Sequence, residues 1–285
     1  MKVCMHKALF LFIFLFNSTC NTGNLTIIAD LSGTLKEVSG TETTPSSDLI
    51  WMLNDSGNAP VLFGTDHKGT IVKELKINAK NKDWEELTSD PEGNLYIGDF
   101  GNNSNKRKDL HILIVRSDSL NNAQKTDVER IRFRYPDQKK FPPKNKNFFY
   151  DCEAMIHFKD SLYLFTKSHA KGNAGHTSLY SLPAKTGEYV ARLKGSFNTG
   201  QDTDCKVTAA DISSDGKQMI LLTESAVWLF TNFKDADFFD GSVTKLPFHH
   251  TSQKEGACFK DDNTLYITDE KAHGTGGYLY AFKLR

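Results

Sequence analysis

From Leu25 to the C-terminus, apolar runs of five to seven residues rich in Ile, Leu, Val, Phe and Tyr are separated by clusters of Gly, Asn, Asp and Pro. No window holds a helical stripe for three turns, so the periodicity predicts strands almost throughout. One stretch states the unit in full: Asp83 to Asn103, DWEELTSDPEGNLYIGDFGNN, has an acidic residue, a strand, an Asp/Gly turn, a second strand and a loop of Asp, Gly and Asn. The same order returns in KEVSG from Lys36 with LIWMLNDSGN from Leu49, and in CEAMIHFKDSLYLFTK from Cys152. It returns again in VTAADISSDGKQMILLTES from Val207 and EGACFKDDNTLYITDEKAHG from Glu255.

Equivalent positions Glu37, Glu85, Glu153, Thr208 and Glu255 are about 47 to 68 residues apart, and each interval accommodates four short strands. In the second repeat these are 86–89, 94–98, 110–116 and 129–134; in the third, 154–158, 162–166, 178–182 and 189–195. Four strands per repeat is the blade of a β-propeller, so the expected fold is all-β with five blades. The last repeat has room for three strands only, and the isolated run Leu25 to Leu31 supplies the fourth, closing the ring without a free edge. A sixth blade inside the long second repeat is the alternative.

Residues 1–20 carry Lys2 and Lys7, an apolar run from Ala8 to Phe16, and a polar stretch ending at Cys20. A membrane span needs about 20 apolar residues, so the run reads as a signal peptide and the protein as exported. Cys20 stands where a lipobox would place it, although Asn17 and Thr19 depart from that motif. A lipoprotein of the cell envelope and a secreted protein both stay open. The propeller then occupies 25–285 as one domain.

Equal numbers of acidic and basic residues, 35 of each, leave no global field for nucleic acid or an anionic membrane. Membrane contact is expected only through an N-terminal lipid, and nothing indicates a state above the monomer. The basic run Lys139 to Asn147 reads as a Pro-containing connection, and His249-His250 as a surface pair. Cys152 and Cys205 either pair or stand, with Cys258, as separate buried thiols.

In a propeller the innermost strand of each blade starts at one face, which places Glu37, Glu85, Glu153, Thr208 and Glu255 around the mouth of the central channel. Carboxylates so placed raise each other's pKa unless a cation joins them, and Ca²⁺ takes six to eight oxygens. The other reading is that each Glu caps backbone N–H groups of its own strand. Rim loops on the same face add Asp55, Asp99, Arg107, Lys167, His169, Asp269 and Lys271, with Glu224, Glu270 and His273 nearby. Mixed charges around a cation suit a phosphorylated ligand, with Ca²⁺ and Lys/Arg taking the phosphoryl oxygens and a carboxylate orienting a water, while Asp, Asn and Gly in these loops also satisfy ordinary turn chemistry.

Trp84-Glu85-Glu86-Leu87 with Leu95 to Gly101, and Lys254 to Phe259, resemble the EWLAV, LYVGGLG and YEGIEF segments of the calcium-activated nucleotidases, or apyrases. That resemblance implies a five-bladed propeller with a central Ca²⁺ held by Glu and Ser side chains. It also points to Ser39 of Lys36-Glu37-Val38-Ser39-Gly40 as the first-blade ligand, with Thr208 standing for a Ser in the fourth. The set NDSGN, DWEEL, LYIGDFGNN followed by Arg107, and YDCEAM is similar to secreted bacterial propellers, some labelled esterase-like. No G-x-S-x-G, H-E-x-x-H, G-x-x-x-x-G-K-[ST] or G-x-G-x-x-G occurs. The sequence therefore leads to an exported Ca²⁺-binding propeller with a small-molecule or protein ligand at the channel mouth, and alternatively to a Ca²⁺-dependent phosphohydrolase.

Overall fold

A computed structural model describes residues 21–272 and 274–285. The expected export signal with Cys20, and His273, lie outside the described residues.

Five antiparallel blades form the molecule. Their innermost strands are Val38–Thr44, Trp84–Ser89, Asp151–Phe158, Val207–Ile212 and Lys254–Asp261. Neighbouring inner strands pack against one another around the axis. The fifth blade is completed by Thr26–Asp30, antiparallel to Tyr278–Lys283, so the ring closes with the N-terminal strand as expected.

The long second repeat holds no sixth blade. It holds a short helix, Ser117–Asn122, and the two-residue strand Lys125–Thr126, which adds in parallel to Ile71–Ile77 of blade 1. The helix offers one buried apolar side chain, Leu120, too few to mark a stripe in the sequence. A second exchange corrects the third blade. The expected strand over 189–195 is two strands: Gly187–Val190 pairs in parallel with Glu129–Arg134 of blade 2, and Arg192–Asn198 is the outer strand of blade 3. Buried Ala191 is the crossing point, its N–H bonded to Arg134 O. Edge backbone groups that would have faced solvent are paired with a neighbouring blade.

Apolar clusters fill the gaps between blades; one of them joins Trp51, Leu53 and Leu62 of blade 1 to Trp84, Leu87 and Ile97 of blade 2. The thiols of Cys152, Cys205 and Cys258 are free and buried, so Cys152 and Cys205 do not pair.

Every inner strand carries a β-bulge at the same place. Pairing with the second strand skips one residue between Val38 and Gly40, Trp84 and Glu86, Cys152 and Ala154, Val207 and Ala209, and Lys254 and Gly256. A bulge re-aims the extra residue relative to its neighbours. The five extra residues are Ser39, Glu85, Glu153, Thr208 and Glu255.

Candidate functional site

All five bulge residues are buried at the start of the inner strands. Ser39 Oγ donates to Trp84 O at 2.8 Å and Thr208 Oγ1 to Lys254 O at 2.6 Å, so each hydroxyl ties its blade to the next and keeps its lone pairs available. The other three bulge residues are Glu85, Glu153 and Glu255, and the charge of Glu153 raises the pKa of both of the others. Burial pushes Glu153 up to about 8 and Glu255 to about 7, Lys167 opposing in both cases. Burial and then Glu153 drive Glu85 well above the carboxylate range.

Glu37 stands outside this ring. Its half-exposed carboxylate accepts from Asn58 Nδ2 at 2.6 Å and faces Lys36 at 3.4 Å. Its place two residues before Ser39 matches Asp83 before Glu85 and Asp151 before Glu153. In space the two aspartates lie beside Glu85 and Glu153. Sequence reasoning passed over both, although the repeated acid-x-Glu spacing was there to be read. Candidate metal-ligand atoms of Asp55, Asp83 and Glu85 lie within 4.8 Å of one another, as do those of Asp151, Glu153 and His169.

A second tier follows from register. The residues directly after those paired with Val38, Trp84, Cys152, Val207 and Lys254 are Asp55, Phe100, Lys167, Glu224 and Glu270. Lys167 is the one cation among these five, and it reaches the ring: Nζ lies 3.0 Å from Glu153 Oε2 and 3.8 Å from Glu255 Oε2. Burial disfavours its ammonium, yet Glu153, Glu255, Asp151 and Glu85 together hold its pKa well above that of an ordinary lysine.

Beside it, His169 Nε2 and Asp151 Oδ2 are 2.6 Å apart, and Asn102 N donates to Asp151 Oδ1 at 2.5 Å. Burial, then Lys206 and Lys167, lower His169 to about 4, so its ring is neutral near pH 7. With the proton on Nε2, Asp151 accepts it and leaves Nδ1 as the basic atom. The sequence alone could not pair these residues.

The remaining rim residues serve the loops. Arg107 is spent on Asp99 Oδ1 at 2.9 Å and on the carbonyls of Asp99, Gly101 and Asp109. Asp269 accepts from Ser252 Oγ at 2.6 Å, Tyr280 OH at 2.8 Å and Tyr278 N at 2.8 Å. Lys271 is half-exposed with Nζ 4.0 Å from Asp30. Of the rim candidates, Asp55, Lys167 and His169 join ring residues, while Asp99, Arg107, Asp269 and Lys271 do not.

Deeper in the channel lies an acidic set that the sequence did not announce. Glu42 accepts from Thr43 N and Ser89 N, and Asp211 from Ile212 N and Phe259 N. Glu86 reaches from blade 2 to Ala210 N of blade 4 at 3.0 Å, crossing the axis. The other four inner strands have Gly40, Ala154, Ala209 and Gly256 at that position, where only a small residue leaves room for it. Beyond this crossbar the opposite face opens into a cavity of about 610 Å³ lined by the first hairpin turns of all blades.

No family model matches the chain, and no curated protein matches it. Among solved structures it is similar to a gluconolactonase from Xanthomonas campestris, with 10% identity, a TM-score of 0.50, and coverage of 93% of this chain and 92% of that one. A virginiamycin B lyase of Staphylococcus aureus solved with quinupristin aligns at 12% identity and TM-score 0.44, over 88% of this chain and 67% of that one. At 10% identity the likeness to the gluconolactonase extends to the fold alone.

Proposed function

We propose that this is an exported divalent-cation-binding propeller, with Ca²⁺ the first candidate, that binds a small-molecule or protein ligand at its channel mouth. One observation carries the reading: five equivalent bulges deliver three buried carboxyl groups and two hydroxyls to one ring, and an ammonium is already seated on two of the carboxyl groups. The donors are all oxygen, and the number fits a hard cation that fills its shell with ligand or water. Ser39, Glu85, Glu153, Thr208 and Glu255 would hold the ion, which would stabilise the ionised carboxylates and offer open positions to a ligand.

Thermal unfolding with EDTA and with added Ca²⁺ tests this. A ligand at a hundredfold excess over its Kd stabilises the folded state by about 2.7 kcal/mol, so the midpoint is expected to rise, and Glu85→Gln or Glu255→Gln to remove most of the rise. Identical midpoints in EDTA and Ca²⁺ would sink the proposal.

The pairing of Asp151 with His169 favours a second reading, hydrolysis of phosphate esters or anhydrides. There Asp151 orients the ring and His169 Nδ1 takes a proton from water. Lys167 would supply the positive charge, since Arg107 is committed to its own loop. Phosphate release from nucleotides, abolished by His169→Asn while Ca²⁺ still raises the midpoint, would establish it; no release from any nucleotide leaves the binding reading.

A further inference from the structure

Lys167 stands where the other blades place Asp55, Phe100, Glu224 and Glu270, so it is the single cation of a tier that otherwise holds acids and one aromatic ring. Its ammonium contacts ring carboxyl groups of two different blades, Glu153 of blade 3 at 3.0 Å and Glu255 of blade 5 at 3.8 Å. Among the described residues Glu153 is its one hydrogen-bond acceptor. Its side chain is 15% exposed, so this charge is held by the site and not by solvent.

Resting on the cation-binding reading above, we propose that Lys167 sets the affinity and selectivity of the ring, because its ammonium holds the carboxylate oxygens that a divalent cation needs. Ca²⁺ ligands stand about 2.4 Å from the ion. The ammonium, within 4 Å of Glu153 Oε2 and Glu255 Oε2, competes with an ion in the ring for those two oxygens, and two cations close together in a buried site repel strongly. Filling the ring through those oxygens requires Lys167 to give up these contacts. Asp55, Glu224 and Glu270 hold the same register position in their blades and are the other acids of its tier.

Selectivity follows from the same exchange. A monovalent ion offers the ring no more charge than Lys167 does, and it lacks the tether that keeps the ammonium at high effective concentration. A divalent ion brings twice the charge and alone wins the oxygens.

Calorimetric titration of the purified full chain with CaCl₂ tests this, comparing the parent protein with Lys167→Met and Lys167→Arg. Lys167→Met is expected to bind Ca²⁺ at least about tenfold more tightly, roughly 1.4 kcal/mol. Its binding is also expected to weaken when NaCl replaces N-methylglucamine chloride at equal ionic strength, an effect absent from the parent. Lys167→Arg, which keeps the charge, is expected to bind no more tightly than the parent. Equal or weaker binding by folded Lys167→Met, or tightening by Lys167→Arg, overturns the proposal while leaving the ring a cation site. Binding by none of the three proteins, each folded by circular dichroism, instead removes the cation-binding reading and this proposal with it.

Discussion

Lys254 occupies the position that Val38, Trp84, Cys152 and Val207 fill in the other blades, and it carries an ammonium into the gap between blades 4 and 5. The side chain is fully buried and donates to Glu224 O at 3.0 Å and Ser252 Oγ at 2.9 Å, with His250 Nδ1 at 3.3 Å. Burial lowers its pKa to about 8, Asp269 and Glu224 opposing. The unfolded value is about 10.4, so between these limits the unfolded chain binds more protons and stability rises with pH; below about 8 the full cost of the buried charge is present. Urea unfolding of Lys254→Met should therefore compare more favourably with the parent at pH 7.5 than at pH 10. The difference should move by up to about 2–3 kcal/mol, and a pH-independent difference would refute the account. Lys254 was legible as a residue but not as a buried one, because four apolar equivalents give no warning that the fifth is charged. Of the two first-blade candidates, Ser39 is the bulge residue, while Glu37, two residues before it, bonds Asn58.

Strands were easier to read than their partners. Short apolar runs located the strands named in the second and third repeats, apart from 189–195, and the shortage in the last repeat predicted that the run from Leu25 to Leu31 would close blade 5, as Thr26–Asp30 does. Flanking this strand, Leu25 and Leu31 are buried. Leu31→Ala is expected to cost about 2–4 kcal/mol in denaturant unfolding, with a clear loss of midpoint; a change under about 0.5 kcal/mol, typical of surface positions, would mean that the closure contributes little. What the strand signal could not show was the exchange of Lys125–Thr126 and Gly187–Val190 between blades. A two-residue strand has no period, and parallel pairing with a neighbouring sheet leaves no local mark.

Taken as a whole, the channel concentrates carboxyl groups whose pKa values are raised chiefly by burial: Asp151 to about 6, Asp211 and Glu255 to about 7, Glu153 and Glu270 to about 8. A carboxyl group with a folded value above its unfolded one contributes stability that is present below about pH 4 and lost as pH rises through the folded value. In EDTA the melting midpoint is expected to fall between pH 5.5 and 8.5, and saturating Ca²⁺ to flatten that fall by favouring the ionised forms. A midpoint that climbs over this range in EDTA would contradict the assigned burial. The sequence by itself determined the five repeats, the closing strand and the inner-strand positions Glu85, Glu153, Thr208 and Glu255, with Ser39 indicated beside Glu37, because strand period, turn residues and repeat spacing are local properties. Only the tertiary structure decided between Ser39 and Glu37 as the bulge residue, that Lys167 reaches the ring, that Asp151 meets His169 and that Glu86 crosses the axis. Each of these depends on how a bulge turns a side chain, or on which residues of distant blades face a common axis, and neither is written in the order of residues along one strand.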